Sequence, residues 1–510
     1  MQSQQFEMVA KTFQGLEDVL AEELRDLGAI NVEPGRRMVS FEGDLEMLYR
    51  ANMSSRTALR ILKPIYKFTA SDPDQLYDRI KEFDWTTVIS LDKTFCIDTV
   101  VNSEEFTHSR YVTYRVKDGI VDFFRDRFGA ECRPKVRLTD ADVMINIHIS
   151  GQRCTVSLDS SGESLHKRGY RVGQTEAPIN EVLAAGIILK SGWRGDCPLV
   201  DPMCGSGTFL IEAALIAAGI NPGVYRRRFA FESWRDFDPE LFDRIYNDDS
   251  SEREFKFKIY GADISPKAVE IARENIKSAG VAKYIDLQVK PLQQWEEAPR
   301  PAGVIVTNPP YGERISVEDM DGLYRMIGTK LKNVFQGYHA WIIGMHEEYF
   351  RKIGLAPSFR MPLYNGALEC ELREYIMFEG DFKTFRREGG SLKSEVGVYE
   401  KSAPQKKGSD EKWREDARRK GFGGKKSGGR PDRAAKGRDR YGKPLPGKFD
   451  RKDRRFDPQD QPATAPRQDA ENPLAARRSE DALKMLVGKK PTLPTADGPL
   501  MRPRRGWKKK

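Results

Sequence analysis

Along the first 160 residues, apolar positions alternate between two periods. The stretches "FEMVAKT" (6–12) and "RMVSFEG" (37–43) place apolar residues at every second position, which predicts half-buried strands. Between them, "GLEDVLAEELRDLG" (15–28) carries apolar residues at helical spacing and stops at Gly28. The order strand, helix, short strands, helix over 6–50 is that of a small α+β unit, with an expected boundary at residue 54. A second α+β pattern fills 55–158: a helix in "PDQLYDRIKEFDW" (73–85), a strand in "TFCIDTVV" (94–101), a helix in "YVTYRVKDGIVDFFRDRFG" (111–129) and a closing hairpin, "MINIHIS-GQ-RCTVSLD" (144–159). Residues 159–175, chiefly "SSGESLHKRGYRVGQT", are rich in Gly and Ser and basic, and read as a linker.

From 176 to about 385 the pattern changes. Short apolar strands, "PLVDP" (198–202), "KIYGADI" (258–264), "IDLQV" (285–289), "GVIVTN" (303–308), "YHAWIIG" (338–344) and "ECELREYIMFEG" (369–380), are separated by helix-length segments. That alternation implies crossover connections and a mostly parallel, Rossmann-like sheet, so the fold class is α/β. Beyond about residue 386 the periodicity ends. "GFGGKKSGGRPDRAAKGRDRYGKPLPGKFDRKDRRFD" is rich in Gly, Pro and Arg and is expected to be disordered, with "SEDALKMLVGKK" as a short helix within it.

Charge sharpens this division. Residues 401–510 hold 33 Lys and Arg against 15 Asp and Glu, a net of +18, which leaves −9 for residues 1–400 behind the overall +9. A basic tail of that strength suits a polyanionic partner, nucleic acid foremost. The six cysteines form no C-x-x-C pair, so neither a metal site nor a disulfide framework is indicated. The N-terminus has no secretory pattern and no window reaches membrane-spanning length, which leads to the expectation of a cytoplasmic protein without membrane attachment.

Three loops carry chemistry. In "PLVDPMCGSGTFLIEAALIAAG" (198–219) a strand ends at Asp201, a turn through Gly205, Ser206 and Gly207 follows, and a helix begins at once. Such a turn lets a ligand approach the backbone at the positive end of a helix. A triphosphate loop would need Lys where Gly207 precedes Thr208, and a dinucleotide loop would need a small residue at Leu210. A nucleoside without pyrophosphate remains, with S-adenosylmethionine (SAM) the main candidate; a turn kept only for a tight strand-to-helix connection is the plain alternative. In "KIYGADISPKAVEIARENIKSAG" (258–280), Asp263 ends the next strand, placed to accept ribose hydroxyls or to help cap the helix that starts at Pro266. In "GVIVTNPPYGER" (303–314), Asn308 follows a strand, Pro309 and Pro310 fix a turn without backbone donors, and Tyr311 offers an aromatic face. An amide oxygen beside a rigid carbonyl suits an exocyclic amine.

With these motifs in hand, the chain resembles the THUMP-domain class I SAM-dependent RNA methyltransferases, most closely the RlmL/YpsC-type 23S rRNA guanine-N2 methyltransferases. The resemblance covers about 1–380 and rests on "NSEEFTHSRYVTYRVKDGIVDFF", "SGESLHKRGYR", "APINEVLAAGIILKSGW", "DPMCGSGTFLIEAA" and "NPPYGER". It implies a ferredoxin-like unit, a THUMP RNA-binding domain, and a catalytic domain that flips out a guanine and methylates N2. By position it implies SAM contacts from Asp201, Pro202, Met203, Cys204, Gly205, Ser206, Gly207, Thr208, Asp263, Ile264 and Asn308, and a base held by Asn308, Pro309, Pro310 and Tyr311. Where relatives have an acidic residue for the adenine amine, this chain has Lys290 and Pro291. RNA contacts are expected from Lys167, Arg168, Tyr170 and Arg171, and base stacking from "YRRRFAFESWRDF" (225–237). The rival readings are the same chemistry on tRNA, N6-adenine methylation of DNA, and a non-catalytic ribosome-assembly factor acting through its tail.

Overall fold

The computed structural model describes residues 4–176, 178–311 and 317–378, with isolated positions up to 389. The expectations for the basic tail at 386–510 and its short helix lie outside the described residues. Up to residue 159 the chain runs β1 (Phe6–Lys11), α1 (Glu17–Asp26), β2 (Ile30–Gly35), β3 (Met38–Gly43), α2 (Leu45–Ser54), β4 (Arg60–Thr69), α3 (Pro73–Glu82), β5 (Thr94–Asn102), α4 (Ser109–Phe128), β6 (Lys135–Val136), β7 (Val143–Ser150) and β8 (Arg153–Asp159). Local chemistry sets the helix starts: Asp44 accepts from the Met47 N–H to open α2, and Asp72 does the same for Asp74 and Gln75 ahead of Pro73 in α3.

The strand β4 has no counterpart in the periodicity reading, and it changes the architecture. It pairs with β1 through Leu62↔Val9 and with β8 through Lys67↔Thr155, so the two α+β patterns share one eight-stranded sheet, β2-β3-β1-β4-β8-β7-β5-β6. Pro64 cannot donate to the ladder, and the pairing register shifts between Pro64 and Tyr66. That bulge bends one long strand to serve two neighbours.

The second sheet comprises β9 (Leu199–Asp201), β10 (Ile259–Asp263), β11 (Ile285–Val289), β12 (Gly303–Thr307), β13 (Tyr338–Gly344), β14 (Phe359–Asn365) and β15 (Leu368–Ile376). Between them lie α5 (Glu181–Lys190), α6 (Thr208–Ala217), α7 (Pro239–Tyr246), α8 (Pro266–Ser278), α9 (Val317–Asn333) and α10 (Glu347–Lys352). The order is β11-β10-β9-β12-β13-β15-β14, parallel from β11 to β13 and antiparallel at β15 and β14. Strand β14 was not anticipated because Pro362 interrupts its pattern; it lies at the sheet edge, where proline is tolerated. The chain steps outward from β9 to β11 and then returns to β12, which makes the β9/β12 boundary the switch point at which open parallel sheets bind ligands. Helices α5 and α6 are buried along their whole length, so they form the inner layer against which β9 is fixed.

Residues 159–175, read from sequence as a linker, form a strap between the two sheets in which buried positions are interspersed with exposed ones. Ser160 and Ser161 are 0% exposed, and Leu165, Arg168 and Tyr170 are nearly as inaccessible. No helix among the described residues is long and apolar enough to cross a membrane.

Candidate active site

Strand β9 is only three residues long and sits centrally, so its end delivers Asp201 to the switch point. The loop that follows turns through Gly205 (φ +52°) and Gly207 (φ +81°), a left-handed backbone that side chains disfavour. At Gly207 a Cβ would also meet the Ala272 Cβ of α8 at 3.1 Å, so glycine permits the close packing of α6 on α8. At Gly205 the nearest atom to such a Cβ is Thr175 Oγ1 at 3.8 Å, which leaves this face of the loop open.

The three loops singled out by sequence meet at one rim. The Thr307 hydroxyl, last in β12, donates to Asp201 Oδ1 at 2.8 Å, and the Gly205 N–H donates to Asp263 Oδ2 at 3.0 Å. The Ser265 N–H fills Asp263 Oδ1 at 2.8 Å, so Asp263 also orders the start of α8. Asp201 is 1% exposed and its partners are neutral, the Thr307 hydroxyl and the Met203 N–H. Burial pushes its carboxyl up to about 7 against the pull of those two hydrogen bonds, with the nearby Asp263 charge adding to the rise. Burial likewise raises the Cys204 thiol, which keeps it protonated at neutral pH.

Beside Asp263, Ile264 is 69% exposed, and Val289 at the end of β11 is 51% exposed. Large exposed aliphatic side chains at neighbouring strand ends offer an apolar surface to a ring. The Lys290 ammonium lies 4.7 Å over the Trp295 ring and, having donors only, supplies no acceptor for an adenine amine. An open glycine loop, a half-exposed carboxylate with spare lone pairs and this apolar surface together fit a nucleoside of the SAM type.

Asn308 is half-buried, Pro309 buried and Pro310 exposed. Tyr311 does not present a free face. Its ring packs against the core under the sheet, its hydroxyl donates to Asn308 Oδ1, and Asn365 Nδ2 at the end of β14 donates to that hydroxyl at 3.5 Å. Burial raises the Tyr311 phenol far above its ordinary range, so the hydroxyl remains a donor. The Asn308 amide is thereby oriented with its oxygen toward Tyr311. Thr307 and Asn365 were missed by sequence reading. A lone hydroxyl in the otherwise aliphatic "GVIVT" was a usable signal for the first, while nothing local marks the second.

The expected RNA contacts need correction. Arg168 is 2% exposed, paired with the fully buried Glu212 at 3.4 Å and bonded to the Leu165 and Arg56 carbonyls. Tyr170, 1% exposed, donates to the same Glu212 carboxylate at 2.9 Å. Neither can reach RNA, because both serve to neutralise a buried charge on α6. Arg171 bonds Glu181, Ser206 and Thr208, and Lys167 alone of the four is exposed, paired with Glu163. The aromatics of 225–237 are also internal: Phe229, Phe231 and Trp234 pack into the core of the eight-stranded sheet, with Phe231 stacked on Tyr49 at 4.4 Å. Arg226 is buried with them, donating to the carbonyls of Ser161, Glu163, Ser164 and Lys167. A separate cleft of about 550 Å³, lined by residues including Asp18, Trp193, His339 and Glu374, opens at the opposite ends of the strands and shares no residue with the rim.

Comparison with known proteins follows this architecture. Residues 7–62 match the RlmL ferredoxin-like domain, 70–159 the THUMP domain, and 168–374 the RMKL-like methyltransferase domain. A ribosomal RNA large subunit methyltransferase K/L of Syntrophotalea carbinolica is 40% identical over 72% of this chain and 53% of its own length. A Synechocystis protein bearing an RNA methyltransferase name is 37% identical over 72% of this chain and 96% of its own length. Among solved structures, SMU.472, described as a methyltransferase complexed with SAH, is 31% identical with a TM-score of 0.67, covering 75% of this chain and 100% of that one. The chain spans about half the length of the K/L relatives it matches. From these matches, in this domain order, the chain belongs to the family in which an RMKL-like methyltransferase domain follows an RlmL ferredoxin-like domain and a THUMP domain.

Proposed function

We propose that this chain transfers a methyl group from SAM to the exocyclic N2 of a guanine in 23S ribosomal RNA. The observation that carries the reading is the meeting of Asp201, Asp263 and Asn308 at one rim, tied by the Thr307–Asp201 and Gly205–Asp263 hydrogen bonds. The donor is supported by the SAH bound to the similar SMU.472 structure, and the substrate by the large-subunit rRNA name of the Syntrophotalea relative.

The residues Asp201 to Thr208, with Asp263 and Ile264, hold the donor, which when bound supplies an electrophilic methyl on a sulfonium. Asp263 retains lone pairs for ribose hydroxyls, and Ile264 covers the adenine. Asn308 Oδ1 has two lone pairs, of which Tyr311 takes one. The other accepts an N–H of the base amine, and a proline carbonyl of the turn accepts the second. Withdrawing both amine protons toward acceptors frees the nitrogen lone pair from its ring. Holding that nitrogen in line makes an otherwise bimolecular displacement effectively unimolecular, which supplies much of the acceleration. The proton released leaves to water, so no general base is required.

The test is Asn308→Ala with labelled donor and deproteinised 23S RNA, followed by nucleoside analysis. Incorporation should fall about 100- to 1,000-fold, as for loss of one preorganised polar group at a reacting centre. Donor affinity by calorimetry should be little changed. Near wild-type incorporation by the variant would refute the role of Asn308, and label recovered on adenine by the parent protein would refute guanine as the target.

A further inference from the structure

The strap does more than join the two sheets. Arg171 sends its Nε–H to Glu181 Oε1 at 2.7 Å, an Nη1–H to Ser206 Oγ at 3.0 Å and an Nη2–H to Thr208 Oγ1 at 2.8 Å. Ser206 and Thr208 are each 3% exposed and the Arg171 side chain 18%, so this contact lies largely out of water. Because a guanidinium is planar and rigid, bonding both hydroxyls fixes the spacing of the residues that flank Gly207. Asn275 of α8, 0% exposed, accepts from the Val172 and Gly173 N–H groups and donates to the Gly173 and Ser206 carbonyls. All four hydrogen-bonding capacities of that amide are used. Loop and strap are thus one hydrogen-bonded body.

We propose that Arg171 is a positioning residue for methyl-donor binding, setting the glycine loop through the Ser206 and Thr208 hydroxyls. The proposal rests on the donor assignment above and replaces the RNA contact expected of Arg171. A preformed loop binds more tightly because the ordering of its backbone has been met during folding. Arg171→Lys keeps the charge opposite Glu181 and loses the fork. It should raise the dissociation constant for SAH about tenfold, in line with losing a hydrogen bond to a charged group.

The experiment measures SAH binding by calorimetry, SAM kinetics and RNA affinity on the full chain, for the parent, for Arg171→Lys, for the double variant Ser206→Ala with Thr208→Val, and for all three substitutions together. The double variant leaves the Arg171–Glu181 pair intact and so guards against a folding defect in the lysine variant. Expected are a raised KM for SAM with kcat and RNA affinity nearly unchanged, a similar loss in the double variant, and little further loss when the changes are combined. Parent protein that does not bind SAH would refute the donor assignment itself. Parent binding with both variants within twofold of it would overturn the positioning role alone. Weakened RNA binding with unchanged SAH affinity would do the same, and so would losses that simply add.

Discussion

Asp201 and Glu212 sit on the same strand–loop–helix unit, both out of contact with water, and the protein treats them in opposite ways. Glu212 faces the strap, where Arg168 pairs with it and Tyr170 donates to it. Asp201 faces the rim, where among the described residues it meets a hydroxyl and a backbone N–H and no cation. A buried carboxylate given a full set of partners is part of the frame. One left with neutral partners, its carboxyl pushed up to about 7, is on the proposed reading the one that meets the donor's positive charge. Distance from the sheet does not separate the two regions; compensation of charge does.

The sharpest way to break this comparison is to remove the compensation. Arg168→Met strips Glu212 of its cation in a fully buried setting and should cost about 3–5 kcal/mol, read as a shift in the urea midpoint at unchanged slope. A loss below about 1 kcal/mol would mean that Glu212 finds water and that the strap is not the clamp described. The reverse holds at the rim. Asp201→Asn keeps the acceptor for Thr307 and Met203 and removes an uncompensated charge, so stability at neutral pH should hold or rise. SAH binding, by contrast, should weaken about 10- to 100-fold, as for loss of a hydrogen bond to a charged group. Equal binding by this variant would make Asp201 part of the frame after all.

The same contrast marks how far the sequence could be read. The rim was legible because its residues act where they stand: a strand end followed by Gly205 and Gly207, an acidic strand end at Asp263, and Asn308 before two prolines each declare a local backbone and a local chemistry. The strap was not, because the meaning of Arg168 and Tyr170 lies in Glu212, on a helix that follows the next strand. Counted locally, "HKRGYR" is a basic aromatic stretch, and burial is a property of the fold rather than of the stretch. The aromatics at 225–237 misled for the same reason, since their partner Tyr49 lies on α2, in the core of the N-terminal half. Strands β4 and β14 escaped because Pro64 and Pro362 break alternation, at a bulge and at an edge respectively.

A pH series sharpens the rim's side of the comparison. A carboxyl held above its ordinary range favours the protonated form of the folded chain, so this contribution to stability is complete below about pH 4 and is lost as pH rises to about 7. A ligand that brings an ammonium to the carboxylate reverses the preference, and SAH, a zwitterion without the sulfonium, does so through its α-ammonium alone. SAH affinity should therefore climb about tenfold per unit below pH 7 and level off above pH 8, at constant salt. Asp201→Asn should flatten that profile, whereas Arg171→Lys should lower it without changing its shape. A sloped profile in Asp201→Asn would assign the titration to another group.

The smallest effect is expected at Tyr311, and it concerns what the rim keeps for itself. Tyr311→Phe retains the ring and its packing but removes the hydroxyl that links Asn365 to Asn308. If the hydroxyl serves to hold the Asn308 amide with its oxygen toward the base, losing one neutral hydrogen bond should lower kcat by about 2- to 10-fold. SAH affinity should stay unchanged, since Asp201 and Asp263 are untouched. Asn365→Ala should reproduce part of the loss, because it frees the hydroxyl to rotate. A faster variant would carry a different message: the phenol would then compete with the base amine for Asn308 Oδ1, and the rim, unlike the clamp around Glu212, would hold one of its own groups in the place meant for the substrate.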